Sequence, residues 1–143
     1  MLNGTQMLLR FQNFNKLYKK LQNDICDKYN ISHIELDIIL FLYNNPQHDT
    51  AKDLVQLRGI AKSYISKSID LLLKKGLITT IEDEKDRRII HIKIKDKSLN
   101  IIEEGKIVQS KFLDIIYKDI SQEEKDNLQN ILNKIAKNIE EVL

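Results

Sequence analysis

Apolar residues recur every three or four positions over most of this chain, and only one short stretch shifts to a period of two. Phe11, Phe14, Leu17, Tyr18, Leu21 and Ile25 predict a first helix that ends near Asn30. Ser32 with Glu35 three residues on is a capping box. It opens a second helix whose Leu36, Ile39, Leu40 and Tyr43 share one face. Ile38, Phe41 and Leu42 widen that face enough to put this helix at the centre of the core. Pro46 stops it. Thr50 with Asp53 marks another capped start, for a short helix to about Leu57, and Gly59 supplies a turn residue able to take a positive φ. A fourth helix runs from about Lys62 to Lys75, with Ile65, Ile69, Leu72 and Leu73 as its inward face, and Gly76 closes it.

The period then changes. Leu77 to Glu82 is short and β-branched, and Ile90, Ile92 and Ile94 alternate with His91, Lys93 and Lys95, the mark of a strand with one wet face. The polar run Asp83-Glu84-Lys85-Asp86-Arg87-Arg88 between them makes the pair a hairpin. Helical spacing returns at Ile101, Gly105, Val108, Phe112 and Ile115. A last helix is capped by Ser121 with Glu124 and carries Leu128, Ile131, Leu132, Ile135, Ile139 and Val142. Leu128, Leu132, Ile135, Ile139 and Val142 step by four, three, four and three, a narrow seam suited to a partner helix or to packing on its own domain.

The fold class is therefore mainly α with a small β-hairpin. Short helix, glycine turn, second helix, glycine and hairpin follow one another in the order of a winged helix-turn-helix. Charge changes the picture more than composition does. Residues 52–97 hold twelve Lys and Arg against seven Asp and Glu, while the remainder holds eleven against fourteen, so a net charge of +2 conceals a basic centre between acidic arms. That distribution suits a polyanion.

The fourth helix has the dimensions of a major-groove reader. Ser63, Tyr64, Ser66 and Lys67 lie on the polar side of its N-terminal half, the half that recognition helices present to base edges, and Arg58 and Lys62 suit phosphates. Arg87 and Arg88 at the end of the hairpin loop can reach a minor groove. Asp86, two residues before Arg88, is placed to brace its guanidinium.

With Leu73-Lys74-Lys75-Gly76-Leu77-Ile78 upstream of it, the run from Asp83 to Arg88 resembles the signature of the multiple-antibiotic-resistance regulator (MarR) family, and the similarity of element order covers nearly the whole chain. The resemblance implies that the helix matching 62–75 enters the major groove, that the residue matching Arg88 enters the minor groove, and that the one matching Asp86 supports it. It further implies a homodimer built from the N- and C-terminal helices, binding double-stranded DNA at a pseudo-palindromic operator. Such a protein often represses transcription until a small-molecule effector or an oxidant loosens it. On this reading residues 1–143 are one domain, with 1–31 and 97–143 as dimerisation helices around a DNA-binding lobe at 32–96. Phe11, Phe14, Leu128, Leu132, Ile135, Ile139 and Val142 line the expected dimer interface. Three departures stand out. Ala61 sits where the family often has an N-capping Asp or Ser, Lys97-Ser98-Leu99 replaces a usual Thr-Glu-Lys-Gly, and Cys26 lies near the end of the first helix instead of near its start.

Tyr18, Tyr29 and Tyr43 are the candidate lining of an effector pocket, with plain core as the alternative. A single cysteine excludes an internal disulfide, and Cys26 reads as a small buried hydrophobe. His33, His48 and His91 lack metal-ligand spacing and read as surface residues. No phosphate loop, nucleophile set or carboxylate pair suggests an enzyme, and no cofactor is expected. Without a signal peptide or a membrane-length apolar run, a cytoplasmic location is expected. The rival function is a winged-helix module that binds protein and has no direct DNA role.

Overall fold

The computed structural model describes all 143 residues. The elements are α1 (Gly4–Tyr29), α2 (His33–Asn44), α3 (Ala51–Gln56), α4 (Lys62–Lys74), β1 (Ile78–Glu82), β2 (Ile90–Ile94), a 3-10 turn at Asp96–Ser98, α5 (Leu99–Ile116) and α6 (Gln122–Glu140). No helix is long and apolar enough to cross a membrane.

The helix starts are set by local chemistry. Ser32 with Glu35, Thr50 with Asp53 and Ser121 with Glu124 all form reciprocal capping boxes. A fourth, Asn3 with Gln6, lies upstream of the apolar stripe that located α1 and extends that helix to Gly4. Ala61 gives α4 no side-chain cap. Asn30 ends α1 in the left-handed region at φ 51°, and Gly76 takes φ +69° after α4 while the Leu77 amide donates back to the Leu72 carbonyl.

The chain divides into two compact units, Met1–Ser110 and Lys111–Leu143, with α5 crossing from one to the other. The C-terminal half of α1 is part of the first unit's core. Leu36, Ile38, Ile39, Leu40 and Leu42 of α2 are all buried there, joined by Ile25 and Cys26 of α1, Leu54 of α3, Ile65 and Leu72 of α4, Ile78 and Ile92 of the hairpin, and Ile101 and Ile102 of α5. Helix α5 meets α2 at Gly105, where an added Cβ would come within 2.6 Å of a Leu40 methyl.

Two expectations about inward faces change. Leu73 is 38 % exposed, and Ser68 takes its place in the interior at 6 %. At about 100° per residue Ile65, Ser68 and Leu72 share one side of α4, and Leu73 falls off its edge. Along β2 only Ile92 is fully buried, whereas Ile90 is 40 % exposed. The hairpin is antiparallel, with Ile78 opposite Ile94, Thr80 opposite Ile92 and Glu82 opposite Ile90. The Ile92 amide donates to the Asp49 carbonyl at 2.7 Å, tying the α2–α3 loop to β2.

Candidate nucleic-acid interface

On α4, burial of Ile65, Ser68 and Leu72 turns Lys62, Ser63, Tyr64, Ser66 and Lys67 outward, and all five are exposed. Tyr64 is 57 % exposed, an unusual position for a large ring that has no partner surface within the molecule. The wing lies beside this helix. Ser66, Ile69 and Asp70 of α4 share a groove with Ala51, Thr80, Ile90 and Ile92, and the next concavity is lined by Thr50, Ala51, Lys52, Arg88, Ile89 and Ile90. Ala51 and Ile90 belong to both, so Ser66 of α4 and Arg88 of the wing border adjoining concavities.

The wing tip is built by two aspartates. One oxygen of Asp83 accepts the Lys85 and Asp86 amides, each at 3.0 Å, which closes the turn. Asp86 then accepts the Arg88 amide at 3.0 Å, Arg88 Nε at 3.1 Å and an Arg88 terminal nitrogen at 3.0 Å. These bonds from Arg88 hold the Asp86 carboxyl below the usual carboxylate range. The guanidinium side chain stays 91 % exposed, so it is aimed without being covered. Two of its five N–H groups face Asp86, and three remain for an external acceptor. Arg87 is exposed and makes no such clamp.

Arg58 is placed differently from the phosphate contact expected of it. Its guanidinium pairs with Asp37 at 3.1 Å and lines a concavity with Tyr18, Asn44 and Gln109. Nor do the three tyrosines form one pocket. Tyr18 lines the concavity with Arg58, and its hydroxyl accepts from Gln109 at 3.3 Å. Tyr43 lines a separate one with Pro46, Asp49 and Lys93. Tyr29 lines neither and packs partly against the core, with the Lys28 ammonium 5.2 Å from its ring centre.

Two histidines expected at the surface have specific partners. His33 Nδ1 lies 3.1 Å from buried Gln22 and 3.7 Å from the Cys26 sulfur. Burial, reinforced by Asp27, Asp37 and Glu35, pushes the Cys26 thiol up to about 11, which keeps it protonated and unreactive at neutral pH. His91 sits between Asp49 and Asp83, with Nδ1 2.6 Å from one and Nε2 2.8 Å from the other. Its two nitrogens point in opposite directions, so the set cannot converge on one ion, and no group of three ligands for a metal is found in the chain. Lys52, Asp49 and His91 were invisible as site residues in the sequence, because only the α2–α3 loop brings 49–52 to a wing some 35–40 positions later.

The surface combines an exposed polar helix face with a braced wing arginine. Residues 29–89, covering α2 through the wing tip, match the family model of the MarR family. An uncharacterized HTH-type transcriptional regulator of Bacillus subtilis, YwaE, is 26 % identical over 129 residues, 90 % of this chain and 75 % of that one. A solved MarR protein from Peptoclostridium difficile superposes with a TM-score of 0.82 at 21 % identity, covering 99 % of this chain and 94 % of that one. MepR of Staphylococcus aureus, in a complex with DNA, gives 0.79 at 15 % identity and 96 % coverage of both chains. At such identities the superpositions speak for the fold alone. Over residues 29–89 the chain is similar to the MarR family.

Proposed function

We propose that the protein is a sequence-specific, double-stranded DNA-binding transcriptional regulator that acts as a homodimer. It places α4 in the major groove and Arg88 in an adjacent minor groove. The observation that carries this reading is the Asp86–Arg88 clamp. An arginine that is 91 % exposed yet held by two side-chain hydrogen bonds has given up rotamer freedom before meeting any ligand. That arrangement favours a rigid, narrow acceptor site such as an A·T-rich minor groove. The neighbouring MepR structure is of a complex with DNA, which supports the same use of the fold. The match to a family of regulators supports a binding protein over an enzyme. A small-molecule effector remains part of the proposal, with the Tyr18–Arg58 concavity as its candidate seat, since a neighbouring structure, a Staphylococcus aureus MarR, is a complex with salicylate and kanamycin.

The test is binding to duplexes selected from random sequence, then varied only in the flanks or only at the half-site centre. Arg88→Ala is expected to lose most on A·T-rich flanks. Lys67→Ala or Ser66→Ala should relax the central preference, by about 1–3 kcal/mol for a bidentate contact and less for one hydroxyl. Asp86→Ala should act as a milder Arg88→Ala, because it frees the guanidinium without removing it. Equal losses on all duplexes would reduce the interface to phosphate contacts.

Dimerisation rests on exposed apolar faces in each unit. Phe11 and Phe14 on the N-terminal half of α1 are 46 % and 44 % exposed, whereas Ile25 near its other end is buried. Helix α6 has no buried residue at all, and Leu132, Ile139 and Val142 are 43 %, 52 % and 87 % exposed. Large apolar surfaces of this kind mark partner contacts. Ile139→Asp should shift the sedimenting species from dimer to monomer or aggregate, because an unpaired charge enters the seam. A dimer that survives this substitution unchanged would remove α6 from the interface.

A further inference from the structure

A neutral imidazole carries one donor nitrogen and one acceptor nitrogen, and an ionised carboxylate can only accept. His91 has a carboxylate oxygen against each nitrogen, Asp49 at 2.6 Å and Asp83 at 2.8 Å. Both bonds can exist together only when both nitrogens carry hydrogen. The charged groups around the ring are Asp49 from the α2–α3 loop, Asp83 from the turn after β1, and Lys93 on β2, which binds the second oxygen of Asp49 at 2.6 Å. No other charged side chain bonds to the ring.

The two aspartates are not equally anchored. Asp49 is the more enclosed, with its side chain 12 % exposed, its carboxylate shared with Lys93 and its backbone carbonyl bonded to the Ile92 amide. Asp83 is 28 % exposed on the side chain. Loss of one proton sets a nitrogen lone pair against a carboxylate, and the contact that can open to water is the one with Asp83. Its other oxygen holds the Lys85 and Asp86 amides, and Asp86 holds Arg88. A chain of bonds therefore runs from Asp49 through His91 and Asp83 to the wing arginine.

We infer that His91 is a positioning residue of the wing, whose doubly protonated ring pins the Asp83 turn and makes the placement of Arg88 proton-dependent. The inference rests on the reading of Arg88 as a DNA contact. Its consequence for pH has a definite sign. Hydrogen bonds to Asp49 and then to Asp83 raise the pKa of His91 above the ordinary 6.5. The contribution of the clamp is complete below 6.5 and is lost as pH rises through the higher value that His91 has in the fold. On the acid side the bonds from His91 and the Asp86 and Lys85 amides lower Asp83, so protonation of that carboxylate disturbs the clamp only in strongly acidic solution.

The test uses the full-length protein without DNA first. In an NMR titration the ring signal of His91, assigned by its loss in His91→Gln, should move with a midpoint above 6.5. The amides of Lys85, Asp86 and Arg88 should follow the same midpoint and lose that transition in His91→Gln. Asp83→Asn keeps a side-chain oxygen for the turn amides and removes the charge facing the ring, so it should lower the His91 midpoint even if His91→Gln folds poorly. Wing amides that ignore the His91 titration, or a midpoint unmoved by Asp83→Asn, would overturn the inference. At constant salt, affinity for a duplex selected at pH 6 should then fall with rising pH, by at most about tenfold per pH unit for each wing, and His91→Gln should flatten that slope. Binding whose pH slope is the same in His91→Gln overturns the inference and leaves the DNA reading intact. Wing amides that follow His91 in a protein that binds no duplex at any pH support the coupling and defeat the DNA reading.

Discussion

Between about 50 and 200 mM salt the affinity of the dimer for DNA is expected to fall by about 10³–10⁵-fold, the loss produced by releasing counterions from roughly 6–10 phosphate contacts. The exposed cations on the proposed face set the scale. Lys52, Lys62, Lys67, Arg87 and Arg88 all reach solvent on the reading lobe, and a dimer carries each of them twice. Arg58 is left out, because its charge is already met by Asp37 at 3.1 Å. The Asp86 carboxylate offsets part of the Arg88 charge, so this arginine should add more to site preference than to the salt slope. Lys62→Ala should lower the slope of log affinity against log salt by about 0.9 for each phosphate contact removed, and so by about twice that in a dimer. A flat dependence on salt would sink the DNA reading and leave a protein-binding winged helix as its replacement.

Leu36→Ala is expected to cost about 2–5 kcal/mol of stability, measured by urea denaturation at fixed protein concentration. Leu36 is 0 % exposed and lies in the helix that packs against α1, α4 and β2. Truncation there removes apolar contacts and leaves a void that a close-packed interior fills poorly. Leu73→Ala is the control, the same chemical change at a site that is 38 % exposed. It should cost well under half as much. Comparable losses at the two sites would mean that α4 turns a different face inward from the one described.

Helices, caps and hairpin were legible because each is decided by neighbours a few residues away. Ser32 and Glu35 close one turn of one helix, Gly76 takes a backbone angle costly to other residues, and alternation from Ile90 to Ile94 needs only the strand's own pleat. The Asp86–Arg88 brace was equally local, two residues apart in one loop. Where two elements had to meet, sequence was a poorer guide. The buried polar positions Gln22, Ser68 and Ser98 are satisfied or enclosed only by packing, as when the Ser98 hydroxyl donates to the Leu77 carbonyl at 2.6 Å. The departure from family pattern at Lys97-Ser98-Leu99 thus falls where a 3-10 turn, Asp96–Ser98, passes into α5, and its serine secures that junction to the residue before β1.

The sequence by itself determined a helical chain with one hairpin, a basic centre, and a wing arginine paired with its own aspartate. Those features depend on periodicity, composition and spacings of two to four residues, which chain connectivity enforces before any tertiary contact forms. Only the tertiary structure decided that Arg58 is spent on Asp37, that the three tyrosines lie apart, and that Leu73 and Ile90 face solvent. It alone put His91 between Asp49 and Asp83, 42 positions away on one side and eight on the other. The direction in which a long side chain's charged end points is set by which partner the fold brings within about 3 Å, and that distance is a property of packed elements rather than of the order of residues.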